Sequence, residues 1–406
     1  MAILRPGRAS GRRAASVAAT AVVLAVALTG CAYSTETPSL RVEPTPTVVP
    51  SQDPTPTPIP TQARPSGTFT RIATLPSRGD GYSATLLLDG RVLIAGGTGD
   101  GYKALATAEL FDPRTGAFTE TGSMVVARTS HSATLMDDGR VLIAGGASIE
   151  NQDFLASAEI YDPSTGEFSR TGWLATARES QTGTLLSDGR VVLIGGDEGC
   201  RGACKIIASA EIFDPKSGTF APDGGLHLGR AGHTATRLLP SDKILIVGGD
   251  NAAGLAIAYA EIFNPIDGTY SDGIPTEKSR YGHTATRLPD GKVLIAGGVG
   301  QSSAELFDPA TEEFTLIGPL GTARAFATAS LLPDGRVLVA GGASTPADPA
   351  SAELYYPATN TFGPTGTMTT GRAGHLAVTL ADGRIFLIGR DFASGGTSDS
   401  AEFYQP

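Results

Sequence analysis

The chain has 406 residues, 52 of them glycine and 27 proline, with a formal net charge of −10 and a pI near 5.1. That acidic balance argues against a nucleic-acid partner, because phosphate binding relies on clustered Lys and Arg. The abundance of Gly and Pro, with no long apolar helical pattern after residue 30, reads as many short strands joined by tight turns.

The first element in chain order is a targeting segment rather than part of a fold. Arg5, Arg8, Arg12 and Arg13 precede an apolar run over residues 14–28. The run falls short of the about 20 apolar residues a spanning helix needs and suits a signal peptide. It ends in Leu28-Thr29-Gly30-Cys31, which resembles the lipobox of bacterial lipoproteins. The resemblance implies that residues 1–30 are a lipoprotein signal peptide and that cleavage precedes Cys31. It further implies that Cys31 is acylated on its sulfur and amine, anchoring the protein outside the cytoplasm on the cell membrane. Two or more acyl chains give stable anchoring where one would be marginal. An ordinary cleaved signal with a chance cysteine is the alternative. Residues 31–65 follow as a linker rich in Thr-Pro steps, such as Pro44-Thr45-Pro46-Thr47 and Pro54-Thr55-Pro56-Thr57-Pro58. Such runs favour an extended polyproline II spacer of about 3.1 Å per residue, a reach on the order of 100 Å.

Residues 66–406 carry seven copies of one pattern. Its marker is Ala-Glu followed by an apolar-aromatic turn, with glutamates at Glu109, Glu159, Glu211, Glu261, Glu305, Glu353 and Glu402, 44 to 52 residues apart. A period near 50 means a stack of small units that bury their apolar faces against one another. In the second copy, residues 132–136 form a short strand and Asp138-Gly139 a hairpin turn. Residues 140–144 form a buried strand ended by Gly145-Gly146. After a variable loop, Ala158-Glu159-Ile160-Tyr161 opens a third strand, Asp162-Pro163-Ser164-Thr165-Gly166 turns it, and Phe168 begins a fourth. Four antiparallel strands per period is the arithmetic of a propeller blade.

The order Arg, Asp-Gly turn, apolar run, Gly-Gly and aromatic-Asp-Pro turn resembles kelch repeats, on the galactose oxidase/kelch-type propeller. The seventh copy departs, with Gly389-Arg390 in place of Gly-Gly, and Phe or Tyr stands where kelch repeats carry tryptophan. That copy also lacks a fourth strand, while Ser66-Gly67-Thr68-Phe69-Thr70 reads like Thr115-Gly116-Ala117-Phe118-Thr119. The expected fold is an all-β, seven-bladed β-propeller, four antiparallel strands per blade, closed by an N-terminal strand in the last blade.

Each copy opens with an arginine: Arg78, Arg128, Arg178, Arg230, Arg280, Arg324 and Arg372. Seven arginines could ring the channel mouth and attract anions. One Arg and one Glu per blade, at the same end of a kelch fold, favours structural ion pairs. Three residues later stand His131, His233, His283 and His375, with Gly81, Gln181 and Ala327 in the other copies. They lie on different blades, and ligands must converge within about 2.1 Å of one ion, so a structural role is expected and no metal. His227 lies outside the pattern. Cys200 and Cys204, outside the cytoplasm, read as a loop disulfide.

The loops after Gly-Gly vary most, and there a binding surface is expected. The candidate binding face comprises Tyr82, Tyr102, Asp153, Phe154, Asp197, Tyr259, Tyr281, Arg390 and Asp391. The expected function is a lipid-anchored surface module binding an unknown protein or glycan, monomeric, with no cofactor and no catalytic residues assigned. The alternative is a sugar-processing enzyme, and resemblance supplies two forms of it. One is a copper radical oxidase like galactose oxidase, using Tyr82, Tyr281, His233, His283 and one of the two cysteines. The other is a mutarotase like the sialic-acid mutarotases built on kelch propellers, which needs a buried Glu and Arg. The sialidase Asp-box is absent.

Overall fold

The computed structural model describes residues 67–406 except 77–78, 100–102, 149–152, 202, 344–348 and 391–397. The expected signal peptide, Cys31, the linker, Arg78, Tyr102 and Asp391 therefore lie outside the described residues. The described chain is a seven-bladed β-propeller, each blade an antiparallel sheet of four strands, with one further short strand, Ile274–Pro275, pairing with the third strand of blade 4. Blade 2 is representative, with strands Ser132–Leu135, Val141–Ala144, Ser157–Asp162 and Glu167–Trp173 from the axis outward. The innermost strands form a closed ring in which each touches the next, from Tyr82–Leu86 of blade 1 round to Leu376–Thr379 of blade 7.

The ring closes as the repeat phase dictates. In blade 7 the outer strand is Thr68–Pro76, which pairs with Ser398–Gln405, Phe69 opposite Tyr404. The same pair recurs in every blade: a third-strand aromatic lies opposite an outer-strand aromatic. Examples are Tyr161 and Phe168, with ring centroids 4.8 Å apart, and Phe69 and Tyr404, also at 4.8 Å. Such tilted pairs contribute about 0.5–1.5 kcal/mol beyond their area. The chain start also supplies a backbone acceptor that other blades take from their own turns. Gly122 N–H donates to Gly166 O at 2.8 Å, and Gly366 N–H donates to Gly67 O at 3.2 Å.

Apolar side chains collect between blades rather than within them. The seam of blades 2 and 3 buries Leu142, Ala144 and Ile160 from one side and Val191, Leu193 and Phe213 from the other. Seven such clusters occur, one per seam. Second strands are buried along their whole length, as in Val191–Ile194, because both faces meet a neighbouring blade. The hydrophobic core is thus a ring of seams, and every blade depends on both neighbours.

Candidate functional site

One end of the propeller gathers the start of each first strand, the end of each second strand and the start of each third. In blade 2, Arg128 Nη2 meets Glu159 Oε1 at 2.7 Å, and both side chains are fully buried. Arg128 Nη1 also donates to the carbonyls of Gly145 (2.7 Å) and Ser157 (3.0 Å). Glu159 in turn accepts from the Val125 and Val126 N–H groups, on the segment arriving from blade 1. The pair therefore clamps the blade crossing to the end of the second strand and the start of the third. The same bond joins Arg178 to Glu211, Arg230 to Glu261, Arg280 to Glu305, Arg324 to Glu353 and Arg372 to Glu402. Burial pulls the pKa of Arg128, Arg178 and Arg230 down and the facing glutamates pull it up; a guanidinium stays charged either way. These arginines do not face channel solvent, so they offer no ring of free cations to an anion. His227 belongs to this clamp too, since its N–H and Nδ1 both meet Glu261 Oε2 at 2.9 Å.

The histidines bridge seams. Nε2 of His131 meets Ser83 Oγ, that of His233 meets Thr182 Oγ1 and that of His283 meets Thr234 Oγ1, each at 3.0 Å; His375 meets Thr328 Oγ1 at 2.9 Å. Gln181 takes the same place in blade 3, donating to Ala144 O at 2.8 Å. Burial, then the neighbouring arginine, pushes all four imidazoles down to about 3, so they are neutral. Strand register corrects one alignment. Tyr82 lies opposite Gly96 as His131 lies next to the Ser132–Ala144 pair, so Tyr82, not Gly81, holds this position in blade 1. Tyr82 is accordingly buried in the seam with blade 7 and is no part of an exposed binding face.

The residue before each of these seven has positive φ: Gly81, Ser130, Ser180, Gly232, Gly282, Phe326 and Gly374. They form the rim of the channel. Along part of it the backbone is tied blade to blade: Ser130 N–H to Gly81 O at 2.7 Å, Ser180 to Ser130 at 3.1 Å, Phe326 to Gly282 at 2.7 Å, and Gly374 to Phe326 at 2.8 Å. Phe326 is the exception in kind. A bulky residue at φ 56° occupies a region that costs an L-amino acid roughly 1–2 kcal/mol, yet the residue is 48% exposed. The ring lies over Gly282, where a Cβ would come within 2.9 Å of it, and edge-on to Tyr281 with centroids 6.3 Å apart.

Above the rim the blades differ. Blades 1, 2 and 3 raise two-stranded ribbons, Thr98–Gly99 with Lys103–Ala104, Ala147–Ser148 with Asp153–Phe154, and Asp197–Arg201 with Ala203–Ile206. The first touches the second, and the second meets the third where the Phe154 ring packs on Gly199. Asp153 is exposed and Phe154 half-buried. Cys200 pairs with Cys204 across the third ribbon in backbone register; their side chains lie outside the described residues. Blade 5, by contrast, has only residues 299–303 here.

Three carboxylates stand beside the rim of blades 3 and 4. Glu179 and Asp197 share a backbone bridge, and Asp250 bridges Ala231. Burial and then the Asp197 charge push Glu179 up to about 7, while burial also raises Asp197 and Asp250. Glu179 and Phe326 were not among the residues singled out by sequence. Of those that were, Tyr281 is half-buried beside the rim, and Arg390 meets Asp80 at 3.1 Å across the closure of blades 7 and 1. Tyr259 lies under the Arg230 guanidinium, 4.9 Å from its ring centre.

The sequence matches no protein-family model and no curated protein. Its fold is similar to that of a solved structure described as a novel fungal alcohol oxidase of the AA5 family in complex with copper. The two share 19% identity with a TM-score of 0.66, over 84% of this chain and 76% of the other. It is also similar to the structure of YjhT, at 14% identity and a TM-score of 0.54, over 71% of this chain and 98% of the other. Likeness at this distance establishes the galactose-oxidase-like propeller fold. The residues present do not fit a copper centre. His233 and His283 are buried with Nε2 engaged by threonine hydroxyls, and Tyr82 is buried in a seam. Among the described residues no three His, Cys, Asp or Glu side chains are grouped to hold a metal ion.

Proposed function

We propose that this propeller is a binding module whose ligand, a glycan or a protein, meets the loop end. On this reading Cys31 carries a lipid that holds the domain outside the cytoplasm. One observation carries the proposal: three ribbons on blades 1–3 stand side by side above the rim, while blade 5 has only residues 299–303 there. Variation confined to loops on a uniform scaffold is how propellers acquire ligands. The clamps and seam histidines below are consumed by structure. The test uses full-length chain in detergent, immobilised, with cell-envelope proteins and envelope glycans offered separately. Specific retention of one class, lost when the ribbon over residues 149–152 is shortened, supports the module. Equal retention by the shortened chain removes it.

A second reading rests on Glu179. A carboxyl near 7 at a channel mouth can give and take protons at neutral pH, as a mutarotase-like activity on free sugars would need. Faster exchange between sugar anomers, followed by NMR and abolished by Glu179→Gln, would favour the enzyme over the module.

A further inference from the structure

One backbone bridge joins the rim to the loop above it in several blades: Thr129 with Ala147, Glu179 with Asp197, Ala231 with Asp250, and Ala325 with Ala343. Among the described residues, only the blade 3 bridge has a carboxyl on each strand. Its two residues exchange both backbone bonds, Glu179 N–H to Asp197 O at 2.9 Å and Asp197 N–H to Glu179 O at 3.0 Å. Residues opposed in this way hold their Cβ atoms about 4.5–5.5 Å apart, and like charges there repel. Both side chains are half-buried, which weakens the screening that water gives. The nearby cations are engaged elsewhere. Arg178 turns inward to its clamp with Glu211, and Lys205 pairs with Glu198 at 2.6 Å. Asp197 holds one oxygen against the Gly199 N–H at 2.8 Å, which favours its charged form. From blade 2 the Ser130 hydroxyl meets Glu179, and from blade 4 Asp250 adds a further negative charge beside Asp197. The bridge thus accommodates one charge readily and two only against repulsion, and the proton falls to Glu179.

We propose that Glu179 and Asp197 form a proton-controlled latch on the blade 3 ribbon, shut while Glu179 holds a proton and loosened when that proton leaves for solvent. Asp197 is the first residue of that ribbon, so repulsion at the bridge acts where the ribbon joins the rim. The ribbon also carries Gly199, on which the Phe154 ring of the blade 2 ribbon packs. The latch is a property of the ribbon and holds whichever ligand the loop end takes. Its sign follows from where the proton binds. Burial and then Asp197 raise the Glu179 carboxyl to about 7 in the shut state, and a ribbon parted from the rim returns it toward its ordinary 4.5. The shut state therefore keeps its proton over a window in which the open state has lost it. Across that window, opening gains up to about tenfold per pH unit, and it levels off above.

The test is hydrogen exchange, followed by mass spectrometry, on the full-length chain in detergent between pH 5 and 8, corrected for the intrinsic pH dependence of exchange. Protection of the blade 3 ribbon is expected to fall by about tenfold or more as pH rises from 5 to 7, while the seam strand Val191–Ile194 of the same blade keeps its protection. Glu179→Gln and Asp197→Asn should each hold ribbon protection level across the range, because neither leaves two charges to oppose. Wild-type ribbon protection that ignores pH overturns the proposal. So does a fall that persists undiminished in either variant, or an equal fall in Val191–Ile194, which would make the loss global.

Discussion

The two ends of the propeller are held together by different physics. At the turn end, aspartates pair with an arginine two residues on: Asp89 with Arg91, Asp138 with Arg140, Asp188 with Arg190, Asp334 with Arg336, Asp382 with Arg384. These pairs are local and wet; the Arg140 and Asp138 side chains are 34% and 45% exposed. At the loop end each Arg–Glu clamp joins residues distant in sequence and is dry, with Arg128 and Glu159 both at 0%. The same chemistry thus shapes single hairpins at one end and fastens successive blades at the other. A cleft of about 380 Å³ between the turns of blades 5 and 6, lined by Leu288, Pro289, Asp290, Arg336 and Tyr356, gathers nothing comparable.

Ring closure should matter more than any one clamp. Deleting residues 66–76 removes the outer strand of blade 7 and exposes the Tyr404 seam, and we expect cooperative unfolding to vanish. An unchanged thermal transition in the deletion variant would refute closure by this strand.

The contrast between the ends is sharpened by two substitutions in one blade. Glu159→Ala leaves a buried guanidinium and two N–H groups unpaired and should cost about 3–5 kcal/mol. Asp138→Ala removes an exposed pair and should cost less than about 1 kcal/mol. Urea unfolding measures both, and similar costs would erase the distinction.

Acid should weaken the seams through the histidines. Their folded pKa is about 3, against about 6.5 in the unfolded chain. The unfolded chain therefore takes up protons first as pH falls. Stability is complete above about 6.5 and is lost between there and 3, by up to about 1.4 kcal/mol per pH unit for each imidazole. His233→Gln, copying Gln181, should flatten the dependence of the thermal midpoint on pH between 7 and 4. A slope identical to wild type would show that these imidazoles do not govern it.

The architecture was legible because the period is carried by residues whose roles repeat. The aromatic at Phe118, Phe168 and Phe220 made Phe69 recognisable as the missing outer-strand member. The rim was legible only in part. Blade 1 has one more residue between its arginine and its Asp-Gly turn than blade 2, so counting from Arg78 reached Gly81, and only strand register reveals Tyr82. Phe326 was hidden because Arg324-Ala325-Phe326-Ala327 carries no sign of positive φ. The signal lay in the other copies, where Gly232, Gly282 and Gly374 hold the same place. Glu179 was hidden because its proton affinity depends first on burial and then on Asp197, a neighbour that only strand pairing brings near.

The strand that closes the ring also sets a line of force. The chain enters blade 7 at Gly67, at the turn end, and Thr68–Pro76 runs from there toward the loop end against Ser398–Gln405. If the residues before Gly67 tether the domain while a ligand holds the loop end, tension runs along this strand's own axis. Its ladder is then loaded in shear, many bonds sharing the strain together, rather than peeled apart bond by bond. Closure that secures the fold at rest would also make it mechanically resistant in the direction in which a tethered receptor is pulled.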